Sequence, residues 1–459
     1  MTILMKRYAW ILLLSILPQM LKSAVVREKI DGIWYEINTE TPFAEVIAPQ
    51  VNGEMYSGEI KIPIQCTYNE TIYEVNSIGN NAFSNCYALR TISLPHSLKT
   101  IGNSAFSGCC SIYSIDLPEL LTTIGDEAFM GCSMLKYVAI PGSVTSIGGS
   151  AFEDCTRLET VALPDKLTSI NNRMFCFCRS LYTIMMPTAV ESIGEFAFAH
   201  CTSLLSITIP DNVKEIGMGT FYGCSGLTTI VLPEQVSTIG NSAFAGCSSL
   251  FSFTTPSSLT SISQSMFARC SSLRTIVISQ NIKEIGGGAF NYCNNLTEVI
   301  CYADKVPSVK SDDFYEVDLN NAQLCVPYTS IEDYKKTSPW SLFANIKAIY
   351  IESDDPGAPK CAEPIITILN GKVSFECETE GATLISKVVA ADANNYLDDN
   401  IDLKGKYYIE VYAAKAGYRH SDIVTKEFYV NFDVKGDTNG DGVIDAADVV
   451  KLTNIIMNQ

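Results

Sequence analysis

A mainly β repeat solenoid of ten 23-residue coils, followed by a small β-sandwich and a short loop-and-helix module, is the fold this sequence predicts. Three observations carry the prediction. Isoleucine recurs every 23 residues from Ile78 to Ile285, which is the mark of stacked repeats. Each isoleucine is followed at fixed offsets by a phenylalanine and a cysteine, from Phe83 with Cys86 to Phe290 with Cys293. After residue 360 this pattern gives way to alternating apolar stretches and then to an acidic loop.

Composition bounds the reading before any motif does. The chain has 459 residues, is 47% hydrophobic and carries a formal net charge of −18. Residues 1–77, 78–300 and 301–459 contribute −3, −4 and −11, so no segment offers the basic stripe that phosphate neutralisation requires. Nucleic acid is excluded as a partner.

In chain order, Lys6 and Arg7 precede the apolar run Tyr8 to Leu17, then Pro18 and the small residues Ser23 and Ala24. This reads as a secretory signal peptide over 1–24, too short to span a bilayer. No later run is long enough to cross a membrane, so the expected location is secreted or extracellular at the cell surface. Residues 25–77 do not follow the period and are read as an N-terminal cap, which covers the apolar face a first coil would expose.

The repeat region, 78–301, orders each coil as a turn or short helix (AFxxC), an LxxIxLP strand, and a second extended piece ending in Ile-Gly. Phenylalanine and the positions three, six and nine residues after it define the core, and Pro95 to Pro256 close the strand in eight copies. The glycine suits a corner where a side chain would obstruct the backbone. Two copies depart at both the glycine and the alanine, with Asn171 and Met174, then Ser263 and Met266; a third has Thr220 for the alanine. Asparagine tolerates unusual backbone angles, so the expectation at Asn171 is a preserved corner with local distortion.

Residues 302–350 read as the C-terminal cap, in which Leu324 to Pro327 echoes the repeat strand. Tyr334, Trp340, Phe343 and Ile346 add apolar bulk at helical spacing. A linker, 351–360, leads to the β-sandwich over 361–433, predicted from alternation at Ile365–Leu369, Val373–Cys377, Tyr407–Ala413 and Ile423–Phe432, with a hairpin turn at Asn370 and Gly371.

Residues 434–459 hold the sharpest chemical motif, GDTNGDGVIDAADVV. Asp437, Asn439 and Asp441 alternate, Gly442 permits a sharp turn, and Asp445 and Asp448 follow; with the Val443 carbonyl they can wrap oxygens around one calcium ion. A helix is expected from Ala446 to Met457.

Ten of the 17 cysteines occupy one repeat column and point inward as small buried hydrophobes, in parallel rather than facing, so free thiols are expected there. Pairing of Cys361 with Cys377 stays open, and Cys176 with Cys178 is a weak zinc case. His96, His200 and His420 lie in separate copies or domains, with no nucleophile elbow or phosphate loop beside them, so no enzyme is predicted.

Recognition is expected on the LxxIxLP strand face. Its outward column, Thr91 to Glu298, is nearly all hydroxyls, and Tyr113, Tyr137, Tyr182 and Phe251 are the candidate ligand-binding residues there. Scattered aromatics that cover core edges are the plainer account of the same residues.

The ten in-register copies resemble the BspA-type leucine-rich repeat of bacterial surface proteins over about 55–350. That resemblance implies a curved stack with parallel strands on one face and adhesion to host proteins or other cells, through protein or glycan ligands. The acidic loop resembles a type I dockerin repeat, with Asp448 at its twelfth position; only one repeat is present where a dockerin has two. A dockerin implies capture by a cohesin-type module. The two resemblances lead to an adhesin-like surface binder first, with a dockerin-bearing accessory subunit of an extracellular polysaccharide-handling complex, or a structural surface component, as alternatives.

Overall fold

A computed structural model describes residues 25–309, 311–349, 360–369, 372–380, 382–390, 405–414 and 421–430. The signal segment, most of the linker, the Asn370–Gly371 turn and the acidic loop lie outside the described residues. The chain forms two compact units. One holds the coils through Val299 together with Pro307–Ala322, and the other holds Ile300–Val306 and the chain from Gln323 onward.

The first unit is a β-solenoid with parallel pairing between coils. Each coil contributes a short strand from its LxxIxLP segment, such as Tyr137–Ala139 or Thr160–Ala162, and a two-residue strand ending at the repeat isoleucine, such as Ser146–Ile147. Strands stack in register, Val138 on Val161 on Ile184 in the first row and Ile170 on Ile193 on Ile216 on Ile239 in the second. The AFxxC segment is a turn in all ten coils and no helix. It carries a third ladder, in which Phe129 N donates to Ala151 O and Phe152 N to Met174 O.

Phenylalanine fills the axis. Consecutive rings from Phe83 to Phe290 stack at 5.1 to 5.7 Å with planes within 14°. The column runs past the ten regular copies. Tyr56 packs on Phe83 at 4.6 Å and Phe314 on Phe290 at 5.4 Å. Strand Gly58–Lys61 pairs parallel with Leu89–Ser93, and Ser308–Val309 with Glu284–Ile285. The stack therefore extends into segments without the sequence period, because a turn needs only one ring inside and one strand in register. An antiparallel strand pair, Val25–Ile30 with Ile33–Asn38, precedes it.

The repeat cysteines are free and buried, as their column position requires. From Cys109 to Cys293 each thiol donates to the carbonyl of a phenylalanine 26 residues earlier, at 3.0 to 3.2 Å. That carbonyl already accepts from a backbone N–H; Phe106 O, for example, takes both Cys109 N and Cys132 Sγ. Cysteine thus fills space as a hydrophobe and also satisfies the second lone pair of a buried carbonyl.

At Asn171 the backbone differs from the expectation of unusual angles. Left-handed residues do occur twice per coil, but in other columns: Asn81 through Gly288 and Asn85 through Tyr292, with φ between 53° and 64° at the non-glycine positions. Asn171 and Ser263 are not among them. The repeat glycine is required by close approach, as expected of a corner where a side chain would obstruct the backbone. A Cβ at Gly148 would lie 2.3 Å from Asp126 N, and one at Gly240 2.3 Å from Met218 N.

In the second unit, strands Gln323–Pro327 and Asn345–Ile349 pair in parallel, around a short helix Ile331–Lys336 whose Tyr334 is buried with Trp340. Tyr334 Oη donates to Ala303 O at 2.8 Å and lies 3.2 Å from Cys301 Sγ. The helical spacing read over Tyr334 to Ile346 resolves into that helix, a 3-10 turn at Trp340–Leu342 and a strand. Further along, Ile365–Leu369 pairs antiparallel with Lys372–Glu376, and Thr383–Ala390, Gly405–Ala414 and Val424–Val430 form a second antiparallel sheet. Ile366 and Val411 are buried together, with Phe375, Leu384 and Val424 against them. Cys361 is buried, and Cys377 Sγ donates to Ala362 O at 3.3 Å.

Candidate functional site

The first-row strands present one column of side chains just before the outward hydroxyls. Read coil by coil it runs Arg90, Tyr113, Lys136, Glu159, Tyr182, Leu205, Thr228, Phe251, Arg274. Lys136 N donates to Tyr113 O, Glu159 N to Lys136 O and Tyr182 N to Glu159 O, which sets these residues side by side on successive coils. Tyr137 stands next to them in the outward column.

The structure brings Tyr113, Tyr137 and Tyr182 into one patch around an ion pair. Lys136 Nζ lies 3.2 Å from Glu159 Oε1 and 4.9 Å over the Tyr137 ring, and Tyr137 Oη donates to Glu159 Oε2 at 3.0 Å. Tyr137, then Glu159, hold the Lys136 ammonium above its ordinary pKa. Both ion-pair members are partly exposed, so their pairing orders the patch more than it stabilises the fold. The three tyrosines are 48%, 44% and 48% exposed.

Phe251 sits three coils beyond Tyr182, as Tyr182 sits three coils beyond Tyr113. Three parallel-strand steps place these aromatics about 14 Å apart. The Arg274 guanidinium covers Phe251 at 5.2 Å. Met185 and Val231 on the same face are almost fully exposed.

The second row carries a feature that sequence reasoning missed. Where the repeat glycine is present, its N–H continues the ladder; Gly148 N donates to Ile124 O, and Gly194, Gly217 and Gly240 donate in the same way to Ile170, Ile193 and Ile216. At Asn171 the side-chain Nδ2 makes that bond, to Ile147 O at 2.6 Å, and at Ser263 Oγ makes it to Ile239 O. A side chain inserted into the ladder pushes the strands apart. The second row breaks at both places, between Ser146–Ile147 and Ser169–Ile170 and again between Thr238–Ile239 and Ser261–Ile262. Met174 and Met266, which replace alanine in the same two coils, are both fully buried.

Between the breaks lies an open trench of about 650 Å³, from Ser169 to Ser263, floored by Gly194, Gly217 and Gly240. The signal was in the sequence: glycine and alanine are lost together in the same two copies. Its meaning needed the ladder geometry.

The other candidate groups stay apart. His96 is exposed, and His200 stacks on Phe177 at 4.6 Å, where burial and then Arg179 lower its pKa. His420 and the loop residues Asp437, Asn439, Asp441, Val443, Asp445 and Asp448 lie outside the described residues. Cys176 and Cys178 are buried, and burial pushes the Cys176 thiol up to about 11. Among the described residues no group of three or more His, Cys, Asp or Glu is placed to hold a metal ion, and no helix is long and apolar enough to cross a membrane.

The family described as BspA type Leucine rich repeat region matches residues 65–182, 168–297 and 215–335, more than half of the chain. The chain belongs to the BspA-type leucine-rich repeat family. Among solved structures it is similar to a leucine-rich repeat protein from Bacteroides ovatus, 29% identical, covering 61% of this chain and 98% of that one at a TM-score of 0.31. It is also similar to a leucine rich cell surface protein from Faecalibacterium prausnitzii, 26% identical over 60% and 94% of the two chains, TM-score 0.35. The pneumococcal vaccine antigen PcpA is 18% identical over 71% and 99%, TM-score 0.43. No curated protein matches this chain.

Proposed function

We propose that this BspA-type chain is an exported, surface-displayed, non-catalytic binding protein, adhesin-like, and that its first-row face docks a protein partner on a host or neighbouring cell. The observation that carries the reading is the patch of Tyr113, Tyr137 and Tyr182 around the Lys136–Glu159 pair. Aromatics with an ordered charge at their centre are the composition of binding hot spots, and side chains already held by each other lose little freedom on docking. Family membership, the leader-like residues 1–24 and the lack of a catalytic constellation in the sequence support export and a binding role. Residues 361–433 serve as a β-sandwich spacer in this reading, and the loop at 434–459 holds calcium through Asp437, Asn439, Asp441, the Val443 carbonyl, Asp445 and Asp448.

Binding of the purified chain to host matrix proteins and whole cells tests the reading. Saturable capture should weaken by about tenfold or more in Tyr137→Ala and further in the triple alanine variant of the three tyrosines, with the thermal midpoint unchanged. No capture, or capture indifferent to all three substitutions, refutes it. The dockerin-type alternative is a separate measurement: calcium-dependent capture by a cohesin, lost in Asp441→Ala.

A further inference from the structure

We propose that the trench on the second row, between Asn171 and Ser263, binds an uncharged oligosaccharide chain, independently of the protein-docking patch on the first row. Four coil steps between the two end coils give it a length of about 19 Å. Its floor cannot join a peptide strand, because the Gly194, Gly217 and Gly240 N–H groups are already committed to the coil before each. Only side chains remain to recognise a ligand.

On the three middle coils those side chains are Ser192, Glu195, Glu215, Met218, Thr238 and Asn241. None of the five polar ones has a side-chain hydrogen bond or ion pair with another described residue, although neighbouring asparagines on this row do: Asn103 Oδ1 accepts from Asp126 N, and Asn172 Oδ1 from Glu195 N. The trench thus offers hydroxyl, amide and carboxylate groups unspent, at a spacing set by the coils. Carboxylates only accept hydrogen bonds, which matches a ligand rich in hydroxyl donors. Glu195 and Glu215 with no lysine or arginine in the lining repel an anionic chain. Met218, 38% exposed, supplies an apolar contact for the carbon face of a ring.

The two breaks bound the site along the row. Asn171 and Ser263 part the strands at each end, and the three coils between them keep the glycine that leaves the floor bare. The side-chain insertion that spoils the ladder is what bounds the trench.

The test uses the full chain with soluble neutral glucan and mannan oligosaccharides and, for comparison, oligogalacturonate, measured by calorimetric titration. A neutral oligosaccharide should bind saturably, and Glu215→Ala combined with Asn241→Ala should weaken it by about tenfold or more. Glu284→Ala, in the same column beyond Ser263, and Tyr137→Ala, on the other row, should leave it unchanged. Absence of binding across the neutral panel, preference for oligogalacturonate, or equal affinity in the double variant each overturns the proposal. Loss in Tyr137→Ala alone would assign the sugar to the first-row patch and also overturn it.

Discussion

From Cys109 to Cys293 each thiol of the cysteine column is buried against a carbonyl that takes it as a second donor. Burial therefore raises its pKa, to about 12 at Cys224 and Cys293 and well above the ordinary value at Cys155 and Cys201. In the unfolded chain a cysteine ionises near about 8.5. A raised folded pKa contributes stability that is complete below that value and is lost as pH climbs towards the folded one, because only the unfolded state sheds protons in between. Urea midpoints should accordingly be flat from pH 6 to 8 and fall steeply from about pH 9 to 12, and a thiol reagent at pH 8 should leave the column unmodified until the chain unfolds. Flat midpoints through pH 11 would show that the column does not stay protonated. The phenylalanine and cysteine columns were legible from spacing alone. The thiol-to-carbonyl bond was not, because it joins residues 26 apart whose proximity depends on how far each coil rises.

At the scale of one coil, the glycine before each AFxxC turn is a clearance requirement, and Asn171 with Met174 is a matched exception. Asn171→Gly alone should return the backbone bond to Ile147 but leave Met174 in a space made for alanine, an overpacking cost of about 1 to 3 kcal/mol. Asn171→Gly with Met174→Ala should recover that loss, since two residues acting on one gap couple. Denaturant midpoints of the two single variants and the double measure the coupling; additive effects would mean that the methionine does not fill the break. The sequence showed both departures, and reading them as local distortion was right in kind. Distortion of a ladder, however, becomes a boundary only when neighbouring coils are stacked beside it, which is why the trench was invisible in the string. The left-handed pair in every coil was equally hidden, because glycine appears at few of those positions and each angle is held by a bond to the adjacent coil, such as Glu127 N to Gly149 O at 2.8 Å.

Across the whole chain, acidity is concentrated after residue 300, and the loop at 434–459 holds its densest cluster of alternating oxygens. Calcium bound there by Asp437, Asn439, Asp441, the Val443 carbonyl, Asp445 and Asp448 should stabilise the terminal segment by mass action, since the folded loop gathers ligands that the unfolded one scatters. A calorimetric titration of the full chain should give one calcium site that Asp441→Ala weakens by about tenfold or more. No heat in the unmodified chain would remove calcium from the account. The segments flanking the regular copies carry a different lesson. Tyr56 and Phe314 extend the aromatic column although neither obeys the period, so the sequence located the solenoid and understated its length.

What the sequence determined by itself is the repeat, its period and its inward columns. A 23-residue spacing places the same residue type on the same side of every coil, and burial of that side follows from composition alone. Only the tertiary structure decided what the outward residues become. Tyr113, Lys136, Glu159 and Tyr182 are 23 residues apart in the chain and one strand spacing apart in the stack, and Asn171 and Ser263 bound a trench only because the glycine-bearing coils lie between them. Function on a solenoid depends on neighbours across coils, and those neighbours exist only after stacking.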